Sequence, residues 1–452
     1  MQKIRHILIF GFLYVVTAGI IISIFILTPT KINNDHLLRL LIIFFATILL
    51  IKYFLYMLVA PWNAVVIKFR QNKTGGQHNP HSYEPKVSVI VPAWNEEVGI
   101  LNTVNTILAN DYKNTEIIVV NDGSTDGSDK IMRAFLKNNL IGNCEDAINL
   151  KYFYKKNGGK GRALNYGIEQ STGEIIISID ADCTLTKSTI RNFVAHFTDS
   201  DVMAAVGNVK IANTETVLGI VQYLEFLFSF YFKKTESVLN TIYIIGGAAG
   251  AFRREVFDIV GLYNHKSLTE DIDLSVRIQA AGMRIVYAYN AIVYTEGATS
   301  LAGLIKQRLR WKHGRFKTFS SYKYLFFSTE KKHNKILTWI LLPLAIFGEL
   351  QLFLEPWFVV FLFIYSYLAH DFSSFISGIA MVSTMFLIQF LFEEDFRTLA
   401  RFYLLSPIGW LLFYVSTIVE YVALIKSIWN NLKKHEIAWQ KWERKGILHK
   451  VS

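Results

Sequence analysis

Cysteine is scarce: the 452-residue chain holds only two, Cys144 and Cys183. That excludes a disulfide framework and leaves a site that is cytosolic or indifferent to redox. Charge is thin as well, at 18% of residues, where about a quarter is usual. There are 8 prolines, no internal repeat and no low-complexity linker. A disordered chain, a collagen-like chain and an ordinary soluble enzyme are thereby excluded. H-E-x-x-H, C-x-x-C and G-x-x-x-x-G-K-[ST] are all missing, and the 11 histidines show no zinc-ligand spacing. What fills the space is apolar: 52% hydrophobic and 14% aromatic. The net charge of +11 comes from 47 basic and 36 acidic residues. In a chain with long apolar runs, that excess marks cytoplasmic flanks and not a nucleic-acid surface.

Ile7 to Leu27 carries no charge and is long enough to cross a bilayer. A signal peptide would have a shorter apolar region ending in small residues, whereas this run ends in Thr28-Pro29-Thr30. A retained helix is the reading adopted. Leu40 to Ala60 is a second run with one charge, Lys52, either functional or snorkelling to the interface. Lys3, Arg5 and His6 precede the pair, and Lys68, Arg70, Lys73 and Lys86 follow it. Basic outer flanks predict a hairpin with both ends in the cytoplasm. Apolar sequence resumes at Ile336–Leu368, Phe375–Phe392 and Leu399–Ile425. Glu349, Glu355 and Pro356 interrupt the first, which is one long helix or a re-entrant pair. The basic tail favours a cytoplasmic C-terminus, while three clean crossings would place it outside; the count stays open.

Between the spans, strands and helices alternate. Val87–Val91, Glu116–Val120, Leu150–Tyr154 and Glu174–Ile179 read as buried strands, and Ile100–Leu108, Ser128–Leu136 and Lys160–Glu169 as helices. That alternation predicts a parallel sheet covered on both faces, with ligands at the strands' carboxyl ends. The polar clusters fall there: Asn95-Glu96-Glu97, Asn121-Asp122-Gly123 and Asp180-Ala181-Asp182.

Asp180 and Asp182 can approach one hard divalent cation, which keeps waters and binds substrate phosphates; alone, D-x-D also describes a turn. Thr269-Glu270-Asp271 precedes a helix from Ile272 to Gly282. It is either an N-cap with acids in the first turn, or it supplies Asp271 as a general base toward an acceptor hydroxyl. Gln307-Arg308-Leu309-Arg310-Trp311 sits in a basic amphipathic stretch, Leu301–Tyr324. An interfacial helix on lipid headgroups explains part of it, with His313 as one of its polar residues. Arg310 also suits a diphosphate, and Trp311 a sugar ring. Asn157-Gly158-Gly159-Lys160-Gly161 is a plain turn or a phosphate-contacting loop.

These residues together resemble the membrane-embedded, processive glycosyltransferases of family 2, whose members make cellulose, chitin, hyaluronan and poly-N-acetylglucosamine. The matching segments are Val91–Glu97, Val120–Asp126, Asn157–Asn165, Asp180–Asp182, Thr269–Asp271 and Gln307–Trp311, in order and spacing. The likeness covers roughly Lys86 to Phe316. Within the family it is similar to poly-β-1,6-N-acetylglucosamine synthases, judged from Gly246–Arg254 and Gln307–Trp311. Asn121 stands where family members often carry a second acid, and Lys312-His313-Gly314 is more basic than that subfamily leads one to expect.

The resemblance implies a GT-A-type α/β domain with a mostly parallel sheet, inserted between transmembrane helices. Its layout would be a hairpin (1–67), a tether (68–85), the transferase domain (86–300), interfacial helices (301–335), transmembrane helices (336–425) and a basic tail (426–452). It assigns Pro92, Glu97, Asp122, Lys160, Asp180 and Arg310 to the nucleotide sugar, Asp122 at the uracil. Asp180 and Asp182 would hold Mg²⁺ or Mn²⁺. Asp271, with Glu270, would be catalytic, and Gln307, Trp311 and Gly247 would lie by the acceptor. The expected partners are a UDP-sugar donor, a growing polysaccharide, membrane lipid and a small accessory membrane subunit, with no nucleic acid. The expected place is a bacterial inner or plasma membrane, multi-pass, with the catalytic domain cytoplasmic. The alternatives are a single-step transferase to a lipid carrier, a hyaluronan-, chitin- or cellulose-type synthase, and a non-enzymatic transporter or binding scaffold.

Overall fold

The computed structural model describes residues 52–53, 55–74, 83–140, 149–368, 409–433, 435 and 444–446, with short stretches between 370 and 387. The expected span Ile7–Leu27 lies outside the described residues. So do the first half of Leu40–Ala60, much of Phe375–Phe392 and most of the basic tail. The chain divides into two units: Met1–Val59 with Phe347–Ile418, and Ala60–Ile346 with Val419–Ser452.

The second unit opens on a 3-10 turn at Ala60–Trp62, followed by helix α1 (Asn63–Thr74). It runs into the segment expected to be a tether, because Lys68 to Thr74 contains no Gly or Pro; Gly75-Gly76 follows its end. The sheet then forms. Strands β1 (Val87–Ala93), β2 (Thr115–Asn121), β3 (Leu150–Tyr154) and β4 (Ile175–Ile179) are mutually parallel. Helices α2 (Ile100–Leu108), α3 (Ser128–Leu140) and α4 (Lys160–Glu169) connect them. Strand β1 is buried along its whole length, with Val87, Val89 and Val91 in one core and Ile90 in the other. A strand covered on both faces needs such a continuous apolar run. Helix α2 buries Ile100, Thr103, Val104 and Ile107, the three-and-four spacing of one helical face.

The other half of the sheet is mixed. It adds β5 (Cys183–Leu185), β6 (Val202–Ile211), β7 (Ala249–Arg253) and β8 (Arg284–Thr295), giving the order β3-β2-β1-β4-β7-β6-β8-β5. Strand β7 is antiparallel to both β4 and β6, and β5 is antiparallel to β8. β6 and β8 are parallel. This arrangement brings the carboxyl ends of β1, β2, β3, β4, β6 and β8 to one edge. The amino end of β7 joins them, since Ala249 pairs with Ile179.

Helices α5 (Thr189–His196), α6 (Val217–Leu239), α7 (Glu255–Val260), α8 (Glu270–Ala280) and α9 (Leu301–Ser321) complete the cover. Side-chain caps start two of them: Thr216 accepts from the Gly219 N–H, and Ser300 from the Gly303 N–H. Helix α10 (Leu342–Leu368) follows a π turn at Leu337–Leu341 and stays helical through Pro356. Of the two arrangements open from sequence, this is the long helix. The last described helix is α11 (Gly409–Leu432). Among the described residues, Leu337–Trp357 and Leu411–Leu432 are long and apolar enough to cross a bilayer. Within the first unit, Phe386 packs edge-on against Phe413, with ring centroids 5.9 Å apart.

Candidate active site

The loop after β2 is organised by Asp122. Its buried carboxylate accepts from Lys155 Nζ at 2.5 Å, from the Gly158 N–H and, at 2.6 Å, from the Gly159 N–H. The residue expected at the nucleobase thus folds the Gly-rich loop 157–159 over the edge. Gly123 (φ +71°) backs onto that loop, and a Cβ there would meet the Asn157 nitrogen at 2.6 Å, so only glycine fits. Glu97 is exposed and accepts from the Gly127 N–H at 2.7 Å; Pro92 is buried within β1.

Lys160, the first residue of α4, reaches the centre of the edge. Its Nζ lies 2.5 Å from Asp180 and 3.7 Å from Glu270. Burial alone would lower this ammonium, but Asp180 and Glu270 outweigh it and hold the proton well above the usual lysine range. Burial pushes both acids up, and Lys160 only partly offsets this. Asp271 stands beside them: its Oδ2 accepts from the Gly247 N–H at 3.0 Å. A Cβ on Gly247 would meet Lys160 Nζ at 2.5 Å, so the absent side chain leaves room for the lysine. Lys160, Asp180, Glu270, Asp271 and Gly247 therefore form one connected ledge.

Thr269 occupies the N-cap position of α8 with Glu270 and Asp271 in the first turn, as weighed from sequence, yet its side chain makes no capping hydrogen bond. It packs against Gly314 of α9, where a Cβ would come within 2.4 Å of Thr269 Cγ2. That close approach sets α9 against the start of α8. Arg310 Nη1 reaches the Leu268 carbonyl at 3.4 Å, and its charge acts on Glu270. Trp311 carries the Arg308 guanidinium 4.2 Å above its ring centroid. Gln307 Oε1 is buried without a hydrogen-bond partner among the described residues. Arg308 itself is 1% exposed, donates a hydrogen bond to Glu225 of α6 at 2.8 Å and forms an ion pair with Glu420 of α11 at 3.0 Å. Glu420 also takes Lys312 at 2.7 Å. Burial drags the Lys312 ammonium down to about 8 despite that carboxylate.

Arg444 and Glu296 lie outside the segments that the sequence singles out for the site. Arg444 Nη1 lies 2.5 Å from Asp182 and 3.1 Å from Glu96, and the backbone N–H groups of Lys445 and Gly446 donate to Glu296. Glu96, and not its neighbour Glu97, is the buried acid of the first loop. The tail was read only as a marker of topology. The signal that sets it apart is Trp439 and Trp442 among Lys441, Arg444 and Lys445, since a merely solvated run has no use for tryptophan.

No group of three or more metal-ligating side chains occurs among the described residues, so an all-protein metal cage is excluded there. The two acids after β4 do fit a hard divalent ion that takes its remaining ligands from phosphate and water. Each already holds a cationic side chain, Lys160 on Asp180 and Arg444 on Asp182, which shows the charge the position attracts.

The model of the family "Glycosyl transferase family 2" matches residues 88–261, and that of "Glycosyl transferase family group 2" matches 175–423. The chain is 28% identical over 319 residues to a poly-β-1,6-N-acetyl-D-glucosamine synthase of Staphylococcus epidermidis, covering 69% of this chain and 74% of that one. It is 29% identical over 230 residues to the protein of the same name from Staphylococcus aureus (strain COL), covering 50% and 54%. Among solved structures it is similar to the mannosyltransferase PcManGT from Pyrobaculum calidifontis in complex with GDP-Man and Mn²⁺. That likeness has a TM-score of 0.54 at 19% identity and covers 85% of this chain and 99% of that one. It bears on the fold alone, and the fold is GT-A-like.

Proposed function

The chain belongs to the family 2 glycosyltransferases, and on that premise we propose that it is an inverting, processive β-glycosyltransferase polymerising UDP-N-acetylglucosamine. The donor is taken from the names of the staphylococcal relatives. One observation carries the reading: Lys160 ties the nucleotide-side acid Asp180 to Glu270, with Asp271 next along the same ledge. Donor and acceptor chemistry then meet within one side chain's reach.

Asp271 takes the proton of the acceptor hydroxyl as that oxygen bonds the anomeric carbon. The bond from that carbon to the diphosphate breaks, and UDP leaves on the opposite face with the electron pair. An α-linked donor therefore yields a β-linked product. A divalent ion held by Asp180 and Asp182 would neutralise the departing diphosphate. Lys160 and Arg310 add positive charge on the same side. Asp122 keeps the Gly-rich loop closed over the donor. Gln307 Oε1 is an acceptor awaiting a sugar hydroxyl, and Trp311 a ring for the chain end to rest on. The transferase domain would face the cytoplasm of a multi-pass membrane protein, and the flanking helices would carry the product outward.

Membranes incubated with labelled UDP-N-acetylglucosamine test this directly. Long insoluble product, digested by linkage-specific hydrolases, is expected. A one-sugar glycolipid as the sole product would replace the polymerase by a lipid-carrier transferase. No transfer from any UDP-sugar would remove both.

A further inference from the structure

The tail contact at the sheet edge has a built partner surface. Glu96 follows β1, Asp182 follows β4 and Glu296 follows β8, all buried and all at the carboxyl edge. One short segment, Arg444–Gly446, satisfies all three: a guanidinium across Asp182 and Glu96, and two successive backbone N–H groups on the two oxygens of Glu296. Arg444 is itself largely buried there, its side chain 17% exposed. A planar fork spanning two carboxylates, with paired amides beside it, is specific recognition and not loose attraction.

We infer that Glu96, Asp182 and Glu296 form a docking surface for the chain's own tail, and that Arg444 and a divalent cation compete for Asp182. The inference rests on the metal-assisted reading of the site given above. One of the two Asp182 oxygens, Oδ2, already lies 2.5 Å from a guanidinium nitrogen. A divalent cation on the same carboxylate would repel that guanidinium, and one on Oδ2 would displace it. Cation binding therefore releases Arg444, and the docked tail is a latch on the donor site. Mass action makes the latch reciprocal: whatever loosens the tail tightens the cation, and the cation loosens the tail.

The test uses the full chain in detergent, with Mn²⁺ alone as probe. Binding is followed by the electron paramagnetic resonance of free Mn²⁺, and tail release by the rate of tryptic cleavage after Lys445. The R444Q variant is expected to bind Mn²⁺ roughly tenfold more tightly than wild type. R444K should fall between, since one ammonium spans two carboxylates poorly. In wild type, added Mn²⁺ should speed the cleavage. Unchanged Mn²⁺ affinity in both variants, with sugar transfer retained, overturns the latch and leaves the transferase reading standing. Undiminished Mn²⁺ binding in D182N overturns the latch and the metal assignment together.

Discussion

Two clusters of acids in this molecule are balanced by basic side chains in very different ways. At the sheet edge, Asp180 is paired with Lys160, whose side chain is 25% exposed, and Asp182 with Arg444 from the tail. Between α6, α9 and α11, Glu225 and Glu420 are bound by Arg308, which is sealed from solvent in the middle of α9. The pairs are similar in distance. What differs is whether the cation can leave. A long lysine arm and a tail segment can yield to a ligand; an arginine buried among three helices cannot. The first cluster is therefore suited to exchange charge with a substrate. The second clamps α9, and with it Trp311 beneath the Arg308 guanidinium.

Asn at Asp271 probes the exchangeable cluster most severely. D271N removes the proton acceptor while keeping the Gly247 contact, so transfer should fall about 10²–10⁴-fold with UDP binding retained. Radiolabel incorporation and calorimetric UDP binding measure the two. Full turnover in D271N would move the base elsewhere and dissolve the division of roles. In the clamp, R308A removes the buried guanidinium between Glu225 and Glu420 and should cost about 3–5 kcal/mol of stability. At Arg444, release of the tail lets water reach Glu96 and Asp182, so R444Q should cost less stability than R308A. Thermal unfolding of both in the same detergent sets them side by side. Equal losses would erase the distinction between a replaceable and a fixed cation.

The parallel half of the sheet was legible because its signal is local. Strand β3 and helices α2 and α4 begin and end where the apolar pattern does. Helix α3 runs on to Leu140 rather than stopping at Leu136, since nothing in Lys137-Asn138-Asn139 forces an end. Helix α8 starts at Glu270, before the first apolar residue, Ile272. The mixed half was not legible. No periodicity announces that β7 returns antiparallel between β4 and β6, and this return is what brings Gly247 to the ledge. Motif spacing named Lys160, Asp180, Glu270 and Asp271 but not their mutual contacts. Arg444 was invisible for a related reason: a charge at one end of a chain does not say which distant acid it will meet.

Glu116 sharpens the comparison from the opposite, amino-terminal edge of the sheet. It accepts from the Ser88 hydroxyl at 2.6 Å, from the N–H and hydroxyl of Thr172, and from Lys151 Nζ at 2.8 Å. Burial would raise its carboxyl, but Lys151, Ser88 and Thr172 prevail and hold it at about 2, against an ordinary 4.5. An acid whose native proton affinity is depressed stabilises the fold above its unfolded value and loses that contribution as pH falls through the native one. Glu116 should therefore contribute fully above pH 4.5 and progressively less toward pH 2. Replacing it by Gln keeps the shape but opposes an amide N–H₂ to donors, costing about 1–3 kcal/mol near neutral pH. Denaturant midpoints across that acid window should converge for wild type and E116Q as pH drops. If the two curves stay parallel down to pH 2, Glu116 is not the fixed acid described here, and the contrast between the two edges fails on its amino-terminal side.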